Sequence, residues 1–134
     1  MNLIQTPVSY GELIDKMTIL QIKLQQITDE AKLANVRNEL ELLDATWKND
    51  KASDTDIAEE TARLLAVNQR LWKIEDDIRM KERAQAFDQE FIQLARSVYI
   101  ENDERAAIKR EINVKLGSTL VEEKSYQDYR VPQA

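Results

Sequence analysis

Four polar residues late in the chain, Asn102, Arg105, Lys109 and Asn113, recur at steps of three and four. On a helix that spacing sets them in one strip bordering the apolar face, where a groove would lie. Two cations between two amides suit an anion such as phosphate or carboxylate, because ammonium and guanidinium donors make short, charge-assisted hydrogen bonds. If a helix begins at Asn102, its free N–H groups add to the same positive field. Arg96 can join from the preceding segment, and Asn68, Glu75 and Arg79, which share one flank of an earlier helix, complete the candidate ligand-binding set. The competing use of these side chains is structural: pairing with Glu101, Asp103, Glu75 or Asp76 on neighbouring helices.

Two acidic patterns invite a metal. Glu75-Asp76-Asp77 offers oxygen ligands of the kind magnesium takes. Successive residues on a helix point apart, however, and Glu75–Arg79 and Asp77–Lys81 have the spacing of surface ion pairs, so a solvated face is expected, with Glu75 at the border of the core. Glu12/Asp15 and Glu41/Asp44 resemble the paired carboxylates with which all-α NTP pyrophosphohydrolases hold magnesium. Asp stands where the first pair of that pattern has Glu. Helical phase sets Asp15 nearly opposite the apolar stripe of its helix and Glu41 off its own, so the pairs are expected to diverge. A magnesium-dependent hydrolase of nucleotides or sugar phosphates is the alternative reading; no catalytic residue, metal ligand or cofactor is assigned.

Composition narrows the chemistry. The 134 residues include no cysteine and no histidine, which removes thiol nucleophiles, thiolate metal sites and the commonest general base and metal ligand. Absence of disulfides points to a cytoplasmic home. A net charge of −6 disfavours nucleic acid, and it is spread: residues 1–50 and 51–101 carry −3 each, 102–116 carry +1 and 117–134 carry −1. Residues 1–8 lack a secretory pattern, and no stretch is long and apolar enough for membrane insertion.

The elements that would position the strip are helices. With two glycines, two prolines and 33% charged residues, the chain favours long solvated helices over sheet. Ser9 and Glu12 form a capping box, with Val8 and Leu13 as its staple. Leu13, Met17, Leu20, Leu24 and Ile27 follow at helical spacing, then Leu33, Val36, Leu40, Leu43 and Trp47, and the short connection predicts an antiparallel hairpin. Their heptad-like spacing also leaves a homodimer seam open. Ser53 or Asp54 is expected to cap a third helix bearing Ile57, Leu64, Val67, Leu71, Ile74 and Ile78. Its broad apolar face, flanked by Leu65 and Trp72, predicts that it sits centrally.

Phe87, Phe91, Leu94 and Val98 fall nearly opposite that stripe, which places a turn near residues 83–88. Beyond it, Ile108, Ile112 and Leu116 continue in phase, with Glu101 and Arg105 in the seam. Two readings fit: a turn at Asn102-Asp103, good caps for a new helix, or one long helix with an ion pair in its seam. The caps favour the turn. Gly117 ends the last helix, and Tyr126 and Tyr129 are expected to pack back on the bundle. Trp47, Trp72, Phe87 and Phe91 are expected in the core.

Long strings carry a resemblance: VSYGELIDKMTILQIKL from Val8, LANVRNELELL from Leu33, VNQRLWKIEDDIRMKE from Val67, FIQLARSVYIENDERAAIKREIN from Phe91 and GSTLVEEKSY from Gly117. In these the chain resembles a family of small bacterial proteins and appended domains of unknown function, which lends no activity, cofactor or catalytic residue. What the resemblance implies is a setting near glycosyltransferases and other lipopolysaccharide or surface-polysaccharide machinery.

The sequence thus predicts an all-α, single-domain bundle of about five helices beginning with an antiparallel hairpin: an extended arm over residues 1–8, a bundle over 9–116 and a tail over 117–134. Its expected role is a non-catalytic accessory module binding an envelope-glycan enzyme or a phosphorylated saccharide.

Overall fold

The computed structural model describes residues 2–132; the tips of the expected arm and tail, residue 1 and residues 133–134, lie outside them. Among these described residues, four α-helices and one 3-10 turn make up the regular structure: α1 (Tyr10–Gln26), α2 (Glu30–Asn49), the turn Lys51–Asp54, α3 (Ala58–Arg83) and α4 (Gln89–Leu116). Among the described residues there is no strand. The fold is therefore an all-helical single domain, with four helices where about five were expected.

The first helix begins as its cap predicts, the Ser9 hydroxyl accepting the Glu12 N–H at 3.2 Å. Val8, the expected staple, is exposed. The Glu12 carboxylate points to Lys109 at 2.7 Å and Lys16 at 3.6 Å. The predicted stripe residues Leu13, Met17 and Leu20 are buried, and so are Gly11, Ile14, Asp15, Thr18 and Ile22 on the other sides. A helix buried around most of its circumference lies inside the domain, and α1 packs against α2, α3 and α4. It takes the central place the sequence suggested for α3.

Length explains the exchange. At about 1.5 Å per residue, α1 spans about 25 Å and α4 about 42 Å. The short helix covers only part of the two long ones. On α3 burial is confined to Leu64, Val67, Asn68 and Leu71, and on α4 to Ile108, Lys109, Ile112 and Asn113. Beyond that zone α3 and α4 have chiefly each other: Ile74 and Ile78 are half-buried, and Phe87, expected in the core, is 53% exposed with its ring edge-on to Phe91. Trp47 packs on the core beside Tyr10, bringing the end of α2 to the start of α1.

The predicted turn between the long helices lies at Ala84 to Asp88, where the Asp88 carboxylate accepts the Phe91 N–H at 3.0 Å. At the start of α3, Ser53 and Asp54 belong to the 3-10 turn instead of capping. Asp56 accepts the Ala58 N–H at 2.9 Å. The turn preferred at Asn102-Asp103 does not occur. Helix α4 is continuous because its polar seam residues find charged partners: Glu101 meets Arg70 at 2.9 Å and Arg105 meets Asp15 at 3.5 Å. Gly117 then ends α4 in the left-handed conformation at φ 70°.

Gly11 sets how closely α1 approaches α4. A Cβ there would collide with the Lys109 carbonyl, and Asn113 Oδ1 lies 3.1 Å from the same point. That oxygen accepts the Gly11 N–H at 2.7 Å. In an open helix, Gly→Ala stabilises by roughly 0.5–1 kcal/mol. Here the sign should reverse: Gly11→Ala is expected to destabilise by about 1–3 kcal/mol through overpacking, measured by urea denaturation.

Candidate functional site

Continuity of α4 keeps Asn102, Arg105, Lys109 and Asn113 on one side of a single helix, as their spacing predicts. Continuity also spends the Asn102 N–H inside the helix, so the expected helix-start contribution to anion binding is absent. The strip lines a groove of about 780 Å³ whose other wall is the chain after Gly117. Reversed by the left-handed glycine, residues 118–132 run back along α4 without regular structure. Their contacts with α4 include the Ser118 N–H on the Asn113 carbonyl at 2.8 Å, Glu122 to Lys109 at 2.8 Å, Lys124 to Asp103 at 2.7 Å, and the Tyr129 ring 5.0 Å from that of Tyr99. Tyr126 does not pack back; it is 85% exposed, with the Lys124 ammonium 5.7 Å from its ring centre.

Behind the strip lies a buried polar network. Asp15, 2% exposed, accepts a hydrogen bond from Asn68 Nδ2 at 2.9 Å and faces Arg105 at 3.5 Å and Lys109 at 3.9 Å. Asn68 also donates to Thr18 Oγ1 at 2.9 Å, and that hydroxyl donates to the Asp15 carbonyl at 2.8 Å. Lys109, 6% exposed, is the hub: its ammonium contacts Glu12, Glu122 and Asp15. Burial pushes the Lys109 ammonium down, but its hydrogen bonds to Glu12 and Glu122, and the charges of Glu12 and Asp15, hold it above the ordinary lysine value. Burial likewise pushes the Glu12 carboxyl up, and the hydrogen bond and charge of Lys109, with Lys16 and Arg105, outweigh it and hold Glu12 low.

The remaining predicted residues separate from the strip. Asn68 is buried in the network behind it. Glu75 and Arg79 pair with each other at 3.4 Å on the surface, and Arg96 is exposed; none of the three lines the groove. The two carboxylate pairs also part, by a different route from the one phase suggested: Asp15 and Glu12 turn inward to α4, whereas Glu41 and Asp44 line a small pocket between α1 and α2. Asp44 pairs with Lys48 at 2.7 Å. Among the described residues, no group of three or more acidic side chains is placed to hold a metal ion.

Sequence reasoning missed Asp15, Thr18 and Glu12 as partners of the strip, since a polar residue opposite an apolar stripe reads as solvated. It also missed Glu122 and Lys124. One signal for these was present: the only basic segment, residues 102–116, is followed directly by a segment of opposite net charge.

The chain matches the model of the family of unknown function DUF6165 over residues 4–132. No curated protein matches it. No solved structure does either.

Two expectations follow from the network. Asp15→Ala leaves Arg105 without its carboxylate and should cost about 3 kcal/mol or more, whereas Asn68→Ala removes the two hydrogen bonds of a neutral amide and should cost about 1–3 kcal/mol; chemical denaturation ranks them. The second concerns pH. Because Glu12 is depressed below its ordinary 4.5, its contribution is complete above that value and fades as pH falls through the lower folded one. Thermal denaturation from pH 6 down to about pH 3 should show a steeper fall for the native chain than for Glu12→Gln.

Proposed function

Because the chain belongs to the family of unknown function DUF6165, whose membership specifies no ligand, we propose from the site itself that this is a non-catalytic helical binding module. It takes an anionic, phosphorylated saccharide in the groove between α4 and the tail. In the bacterial cytoplasm it thereby assists lipopolysaccharide or surface-polysaccharide biosynthesis, a setting supported by the sequence resemblance.

One observation carries the reading: the groove already accommodates an anion. The Glu122 carboxylate sits 2.8 Å from the buried Lys109 ammonium, in a cleft also lined by Arg105, Arg110 and Asn102. Tyr99, Tyr126 and Tyr129 line the same cleft and offer flat apolar faces beside polar hydroxyls, which suits a sugar ring carrying a charged group.

Glucose 1-phosphate at about ten times its dissociation constant should stabilise the chain by roughly 1.4 kcal/mol, raising the melting temperature by about 4–8 °C in a thermal-shift assay. Uncharged methyl glucoside should leave the transition in place. Arg105→Gln and Arg110→Gln should each reduce the shift. Equal shifts for the charged and uncharged sugars, or an undiminished shift in both variants, would remove the anion site from consideration.

A further inference from the structure

Resting on that reading, we infer that residues 118–130 are a displaceable strap: Glu122 is the groove's own occupant, and a phosphate monoester binds by taking its place on Lys109.

Lys109 has three N–H groups. One goes to Glu12 at 2.7 Å, one to Glu122 at 2.8 Å, and Asp15 lies at 3.9 Å. Glu12 and Asp15 belong to α1 and are fixed by the packing of the core. Glu122 alone arrives on a segment outside the helices, its side chain 61% exposed. The donor it uses is the one available to the groove.

Charge points the same way. Within the domain, Arg105 and Lys109 already have Asp15 and Glu12 as opposite partners, so these two cations are matched without the tail. Glu122 is a surplus negative charge, held by Lys109 and by its tether. Residues 119–132 are exposed, and no apolar anchor among them is buried. The further latches are the exposed Lys124–Asp103 pair and the Tyr129–Tyr99 contact, both of kinds that contribute little each. Such a segment opens at small cost.

Tethering nevertheless gives Glu122 an effective concentration of the order of millimolar. A free carboxylate offers Lys109 nothing that Glu122 does not. A phosphate monoester carries about −1.5 to −2 charge at pH 7 and three acceptor oxygens, so it can meet Lys109 and an arginine of the groove at once. The strap therefore selects phosphate over carboxylate and releases the tail from α4 when the site fills.

Calorimetric titration with glucose 1-phosphate, on the full chain and on Glu122→Gln, tests the proposal alongside trypsin cleavage after Lys124. Glu122→Gln is expected to bind roughly three- to ten-fold more tightly. Without ligand it should also be cut several-fold faster than the native chain, whose own cleavage should accelerate when the sugar phosphate is added. Equal affinity and equal cleavage in the two proteins would overturn the strap while leaving the groove reading intact. Absence of binding to both proteins would overturn the two together. Because glutamine matches glutamate in length and bulk, a difference between the two proteins reports the carboxylate charge and not side-chain size.

Discussion

The contact between α1 and α4 at Gly11 governs the rest of the molecule. Without a Cβ at that position, the Lys109 carbonyl comes against the helix backbone and Asn113 reaches the Gly11 N–H at 2.7 Å. Helices that close leave Lys109 only 6% exposed, so its ammonium depends on partners supplied by the protein. Glu12 and Asp15, one and four residues beyond Gly11, supply the opposite charge because they leave the same helix on the same side. A buried cation with partners fixed by backbone proximity is a strong constraint on register: slipping α1 by one residue would separate Gly11 from Asn113 and Asp15 from Asn68 together.

That constraint also accounts for the unbroken α4. Glu101 and Arg105 occupy positions where an apolar seam would be interrupted, and Asn102-Asp103 would be acceptable caps. Ending the helix there would free backbone groups that need partners. Since Arg70 meets Glu101 and Asp15 meets Arg105, continuing the helix loses nothing at the seam and keeps its hydrogen bonds. The same polar seam limits how far the apolar core extends. Past it, α3 and α4 face each other without a third helix, and apolar side chains such as Met80 and Ile92 remain exposed.

Local and periodic signals were readable because each depends on a few neighbouring residues: the Ser9 cap, the stripe of Leu13, Met17 and Leu20, the phase reversal before Phe87, and the Gly117 stop. The strip of Asn102, Arg105, Lys109 and Asn113 was legible for the same reason. What it would meet was not. The side of α1 bearing Asp15 and Thr18 is polar by sequence and buried in fact, and that follows only from knowing that three helices surround α1. Glu75, Arg79 and Arg96 were grouped with the strip by shared flank, yet the short α1 covers only part of the long helices, and a shared flank does not make a shared cavity. The tail had no periodicity to read, and its register against α4 is set by pairs such as Glu122–Lys109, separated widely in sequence.

On the proposed reading, Lys109 serves two demands that differ in what they require of its partners. Holding α1 against α4 needs carboxylates that never leave, and Glu12 and Asp15 meet that need from within a packed helix. Presenting a cation to the groove needs a donor whose partner can go. A lysine shared only with core residues would be purely structural, and one facing the groove alone would be too costly to bury. Dividing its donors between a packed helix and an exposed segment outside the helices resolves the conflict. By this logic the tail, with its surplus acid opposite the basic helix, is part of the site and not an appendage to the fold.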